Sequence, residues 1–135
     1  MAKWISRSIN LGRTLMWGEI RTHRQFGDLP EKLGGQDTAM EPSEGMMIAL
    51  GNCMGMVIAA ACEARQVEYQ GMILHVEAEV VEGEYRLDNF QMRIHMPGPL
   101  DDKTRRAVQA GERLCKVHNT LQHGAQVKVE LVENA

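Results

Sequence analysis

The sequence predicts an α+β fold in which an antiparallel sheet packs on two helices. Three observations point there. The stretch from Pro42 to about Arg65 is apolar nearly all round, as a helix at the centre of a fold or a dimer is. On either side of Glu82-Gly83-Glu84, two runs alternate apolar and polar residues in the manner of a β-hairpin with one dry face. After Pro97-Gly98-Pro99, a segment opened by aspartate reads as a second helix. The order is β-β, helix, β-β, helix, β.

Each element has its own local reason. Ile5, Arg7, Ile9 and Leu11 alternate with polar residues, Gly12 marks a turn, and Leu15, Trp17 and Ile20 continue the β pattern. The Gly, Pro and Asp content of residues 27–37 predicts a loop. Pro42-Ser43-Glu44 suits a helix start, where proline costs no hydrogen bond and an acid faces free amides. On that helix Met46, Leu50, Cys53 and Val57 share a face. Met72 to Val80 and Phe90 to Met96 form the hairpin. The second helix starts at Asp101 or Asp102 and places Ala107, Val108, Leu114 and Cys115 on its inner face. Gly124 precedes a last strand carrying Ala125, Val127, Val129 and Leu131. No linker or repeat divides the chain, so one domain is expected across 1–135, with a β region over about 1–40 and a helix-sheet core over about 42–133.

Composition narrows the classes of function. A chain of 135 residues can bury a core without disulfide staples. A net charge of −3 without a basic patch argues against nucleic acid and anionic membrane as partners. The apolar run Met54 to Cys62 is too short to span a bilayer, and the first seven residues lack the apolar core of a signal peptide. The expectation is a cytoplasmic protein whose three cysteines are reduced at rest. Ten methionines against two each of Phe, Tyr and Trp describe a soft core, or a pocket for apolar ligands of variable shape.

The cysteines are not equivalent. Cys62 lies nine residues after Cys53, on the opposite side of the same helix at roughly 100° per residue, so these two cannot bond. If both helices cover one sheet, Cys53 and Cys115 are the pair that can meet. The bland reading of a free cysteine is an inert small hydrophobe, and Cys62 is read so. For Cys53 and Cys115 both readings stay open on pattern alone. A metal is the rival chemistry, with Cys115, His118 and Cys53 as ligands. A structural zinc site normally needs four, so no metal is expected.

Pro42-Ser43-Glu44-Gly45-Met46-Met47-Ile48-Ala49-Leu50-Gly51-Asn52-Cys53-Met54 resembles the central helix of the OsmC/Ohr family, the osmotically inducible and organic hydroperoxide resistance proteins. Cys115-Lys116-Val117-His118-Asn119-Thr120-Leu121 resembles the family's second cysteine segment, and Gly98-Pro99-Leu100-Asp101 fits the turn before it. The similarity runs from about Asp28 to Val132. It implies an intertwined homodimer whose sheets wrap two central helices. It also implies reduction of organic hydroperoxides, with Cys53 attacking and Cys115 resolving the product as a disulfide. An external dithiol, a lipoyl group on a partner protein for some members, then restores the pair. No cofactor is implied.

Two positions depart from the family pattern. Ser43 stands where the peroxide-reducing members place glutamate, with Glu44 one residue later, and Lys116 stands where proline is usual. A thiol of pKa about 8.5 needs a nearby cation to ionise at neutral pH. The family supplies an arginine from the N-terminal strands, for which Arg21 and Arg24 are the candidates here, with Arg13 behind them and Glu44 as the positioning acid. Met46, Met47, Leu50 and Met54 are expected to line the pocket for an apolar substrate. The alternative reading is a non-catalytic, stress-related dimer that binds an apolar small molecule on the same fold.

Overall fold

The computed structural model describes residues 2–133. Its elements are β1 (Arg7–Asn10), β2 (Met16–Ile20), β3 (His23–Gly27), a 3-10 turn (Glu31–Leu33), α1 (Pro42–Arg65), β4 (Ile73–Val81), β5 (Arg86–His95), α2 (Asp102–Glu112) and α3 (Lys116–His123). The class is the α+β expected, with antiparallel sheets. The chain divides into two compact units, one running to Ile48 and including Val80–Leu87, the other comprising Ala49–Glu79 and the chain from Asp88 onward.

In the first unit β1, β2 and β3 form an antiparallel meander, with Ile9 opposite Trp17 and Trp17 opposite Phe26. The third strand was not expected. His23-Arg24-Gln25-Phe26 carries only one apolar residue, and Arg21, rather than a glycine, takes the left-handed conformation in the turn before it (φ 53°). The loop after β3 is tied down by Asp28, which is buried. Its carboxylate accepts from the hydroxyls of Thr14 (2.6 Å) and Thr38 (2.7 Å) and from the amides of Leu29, Gln36 and Thr38. α1 then opens on a reciprocal cap. Glu41 Oε1 accepts from the Ser43 amide (3.2 Å), and Glu44 Oε1 accepts from the Glu41 amide (2.9 Å).

The second unit is built on the remainder of α1. Leu50, Met54, Ile58, Ala61 and Cys62 are buried at helical spacing. Leu74 and Val76 of β4 and Phe90, Met92 and Ile94 of β5 pack against that stripe. Gly51 and Gly55 let the sheet come close, since a Cβ there would lie 3.4 Å from Val76 and 3.2 Å from Leu74. The α1–α2 crossing is tighter still. A Cβ on Gly111 would lie 2.6 Å from the Ile58 Cα, so the two backbones touch and the end of α2 is pinned over the middle of α1. By length and composition α1 as a whole is apolar enough to cross a membrane (mean hydropathy 1.8), which the run Met54–Cys62 alone did not indicate. Its buried stripe packs against the sheet and α2, and 28% of its apolar window is buried. Its other side is also apolar, with Met56 70% exposed.

Two expectations about the C-terminal third are corrected. The second helix is two helices. After Glu112 the chain tightens, with the Leu114 amide donating to Gly111 O and the Cys115 amide to Glu112 O, and Asn119 Nδ2 covers Arg113 O at 3.1 Å. Cys115 is then extended (ψ 104°) and caps α3. Leu114, expected on an inner face, is 66% exposed. No glycine or proline marks the break, and the spacing Ala107–Gly111–Cys115 equally suits a helix that continues. The last strand is also absent. Residues 124–133 take no regular structure, and Val127, Val129 and Leu131 are exposed. An alternating strand needs a neighbouring edge, and within the chain it pairs with none among the described residues.

The Asp28 clamp predicts a pH dependence. The hydroxyls of Thr14 and then Thr38 hold its carboxyl well below the ordinary carboxylate range, against the opposing effect of burial. A depressed folded-state pKa contributes stability that is present above the unfolded value of about 3.9 and is lost as pH falls below it. Asp28→Asn, which turns an amide donor toward the donors of the loop, should unfold at lower denaturant than the parent at neutral pH. The gap between the two should narrow on acidification below about pH 4. Denaturant melts across pH would show it.

Candidate active site

The site lies in the second unit, where α3 begins beside α1. A helix leaves its first amides without intrahelical partners. In α3 these amides turn to sulfur. The amides of Val117 and Lys116, in the first turn, are among the groups that lower the pKa of Cys53 on α1. The amide of His118, the third, donates to Cys115 Sγ at 3.4 Å. The next, of Asn119, donates to Cys115 O at 2.9 Å and begins the helical ladder. Cys115, fully buried, is thus the cap of the helix whose start faces Cys53, which is half-buried.

The two thiols are hydrogen-bonding partners and are driven in opposite directions. Burial works against ionisation of Cys53. The Val117 amide, the Cys115 side chain, the Lys116 amide and the Lys116 charge together outweigh it, and the Cys53 pKa falls below the ordinary thiol value. Burial pushes Cys115 up. Donation from the His118 amide opposes this, and the neighbouring Cys53 raises it further. The arrangement favours the ionised form at Cys53 and the protonated form at Cys115. Cys62 is fully buried, and burial raises it too. Of the three thiols, the structure brings together Cys53 and Cys115 and leaves Cys62 in the core.

The other expected residues have definite places. Arg24 lies over the Trp17 ring, 5.3 Å from its centroid. Arg21 holds the β2–β3 turn. Arg13 donates to Gly34 O at 3.1 Å. Glu44 closes the α1 cap. Leu50 and Met54 are buried in the core of the second unit, while Met46 and Met47, in the first, are half-buried. His118, expected at a helix end, stands in the first turn of α3, with a ring Nδ1 that is buried without a hydrogen-bond partner. No group of three or more His, Cys, Asp or Glu among the described residues could hold a metal. The sequence reading missed Lys116 and Val117. Their role depends on a helix that starts at Cys115, and the only trace of it is the position of the lysine directly after the cysteine.

The profile of the OsmC-like proteins matches residues 35–130, more than half of the chain. The chain belongs to the OsmC-like family. Compared by sequence with curated proteins, it matches none. Several solved structures share the OsmC-like fold. One, described as an osmotic stress induced and detoxification response protein from Psychrobacter arcticus, is 18% identical with a TM-score of 0.77, over 89% of each chain. An OsmC-like protein from Mycoplasma pneumoniae is 17% identical with a TM-score of 0.70, over 90% of this chain and 88% of that one. An organic hydroperoxide resistance protein from Legionella pneumophila is 13% identical with a TM-score of 0.60, over 90% of each.

If the Cys115 S–H supports the Cys53 thiolate, Cys115→Ser should keep most of that support through its hydroxyl and Cys115→Ala should lose it. Alkylation of Cys53 by iodoacetamide at neutral pH, followed by peptide mass spectrometry, should be several-fold slower in the alanine variant than in the serine variant. Equal rates would remove the S–H from the account.

Proposed function

We propose that this OsmC-like chain reduces organic hydroperoxides through a two-cysteine cycle. The observation that carries the proposal is the opposed pair at the start of α3, a Cys53 thiol whose pKa is lowered beside a Cys115 thiol whose pKa is raised. Only a thiolate attacks peroxide efficiently, and only a nearby second thiol can capture the product. The Cys53 thiolate attacks the distal oxygen of ROOH, the O–O bond breaks, and Cys53 becomes a sulfenic acid. The departing alkoxide takes the Cys115 proton and leaves as the alcohol ROH. The resulting Cys115 thiolate attacks the sulfenic sulfur, forming the disulfide and releasing hydroxide, which is protonated to water. An external dithiol, of the lipoyl kind or similar, reduces the disulfide by exchange. Hydroperoxide resistance in the name of the Legionella pneumophila relative is consistent with this chemistry.

The proposal includes a homodimer. The segment 124–133 alternates Val127, Val129 and Leu131 with polar residues, and α1 presents Ile48 and Met56 outward. A second copy would give the segment an edge to pair with and would cover the apolar side of α1. Arg21, Arg24 and Glu44 are proposed to act in catalysis within that assembly, and Met46, Met47, Leu50 and Met54 to shape its apolar pocket. The proposed compartment is the cytoplasm, where the thiols are kept reduced.

The test is thiol titration with peptide mapping on the reduced protein. One equivalent of cumene hydroperoxide should remove two thiols per chain, yield a Cys53–Cys115 disulfide and leave Cys62 free. Cys53→Ser should abolish the loss, and in Cys115→Ser a trapping dimedone adduct should accumulate on Cys53. If Cys53 survives excess hydroperoxide unmodified in the folded protein, the peroxidase reading is wrong and the small-molecule-binding alternative takes its place.

A further inference from the structure

We propose that His75 and His95 form a binding site for a divalent cation of the zinc, nickel and copper kind on the outer face of the β4–β5 hairpin. This site shares no residue with the cysteine pair and does not depend on the peroxidase reading.

The strands place the two rings. Leu74 and Val76 on β4 and Ile94 on β5 pack against the core of the second unit. Side chains alternate along a strand, so His75 and His95 point the other way. Both are exposed. Their ring centroids lie 5.3 Å apart, with the planes nearly perpendicular at 88°. Among the described residues each ring has the other as its ring contact, and neither is engaged in a hydrogen bond or an ion pair. The ring nitrogens are therefore available to a cation, and imidazole is the commonest side-chain metal ligand.

The separation suits a shared ion. Two imidazoles that bind one tetrahedral ion through nitrogens at about 2.0–2.1 Å stand with their centroids roughly 5 Å apart. The outer torsion of histidine is broad, so exposed rings turn a nitrogen each toward a common point at little cost. The backbone that carries them is already ordered by the packing of the inner face, so no loop has to close around the ion. Imidazole selects zinc, nickel and copper over magnesium and calcium, which prefer oxygen. By the same alternation Glu77, Glu79 and Arg93 share the outer face and are exposed, two acids against one base, which favours a cation. No third His, Cys, Asp or Glu among the described residues joins the pair. Water then fills the remaining positions, and the bound ion stays open to a further ligand.

The test is calorimetric titration of nickel chloride into the untagged, reduced protein at pH 7.5. The parent should bind one Ni²⁺ per chain. His75→Gln and His95→Gln should each weaken binding by about tenfold or more, because either change leaves a single imidazole where two acted together. Cys53→Ser should bind Ni²⁺ as the parent does. Excess Ni²⁺ should raise the melting temperature of the parent and not that of the histidine variants, since the ion holds two strands that part on unfolding. Melts in EDTA should be alike for all three, as both substitutions lie on an exposed face. A parent that binds no Ni²⁺, or histidine variants that bind it as tightly as the parent, would overturn the proposal. So would binding that disappears in Cys53→Ser, which would put the ion at the thiols. Thiol loss to cumene hydroperoxide is read on other residues, so this site and the peroxidase reading fail separately.

Discussion

The first turn of α3 holds more of this protein's chemistry than any other feature. A helix must place its opening amides somewhere, and caps usually satisfy them with a side-chain oxygen. Here the cap is a cysteine, and the remaining amides of the turn favour the ionised form of a second cysteine from another helix. A thiol is a weak acceptor when protonated and a strong one when ionised. Aiming amides at Cys53 therefore stabilises its thiolate form selectively, and the Cys115 proton does the same. Because each sulfur affects the other, they titrate as a pair, and ionising one holds the proton on its neighbour.

Delivering α3 to that place is a packing problem. The end of α2 can lie over α1 because Gly111 leaves room for the Ile58 backbone. Four residues later the chain has turned, and Cys115 is buried at the start of α3. Gly51 and Gly55 play the corresponding part for the sheet, whose apolar side chains pack against the buried stripe of α1. The price of so dry a surrounding is that a charge at Cys53 needs local support. The amides, the S–H and Lys116 provide it.

Much of the fold could be read from the sequence because local signals and tertiary demands agree. Pro42 and Glu44 mark the start of α1, where Glu44 closes the cap, and the hairpin's alternation matches its buried face. The reading failed where they diverge. His23–Gly27 is polar and joins the meander through backbone pairing. The break at 113–115 is imposed by packing and carries no breaker residue. Residues 125–131 have a strand pattern with no partner inside one chain. The site was legible as two cysteines and no further. Lys116 was visible only as a departure from the family's proline, since its value depends on α3 starting at that residue.

Carbon-13 NMR titration of the reduced protein, labelled at the cysteine Cβ, tests the central claim most directly. It follows the ionisation of Cys53, Cys62 and Cys115 separately. The account predicts that Cys53 ionises below the ordinary thiol range while Cys115 and Cys62 stay protonated to well above it. Cys53 and Cys115 ionising together above that range would contradict it.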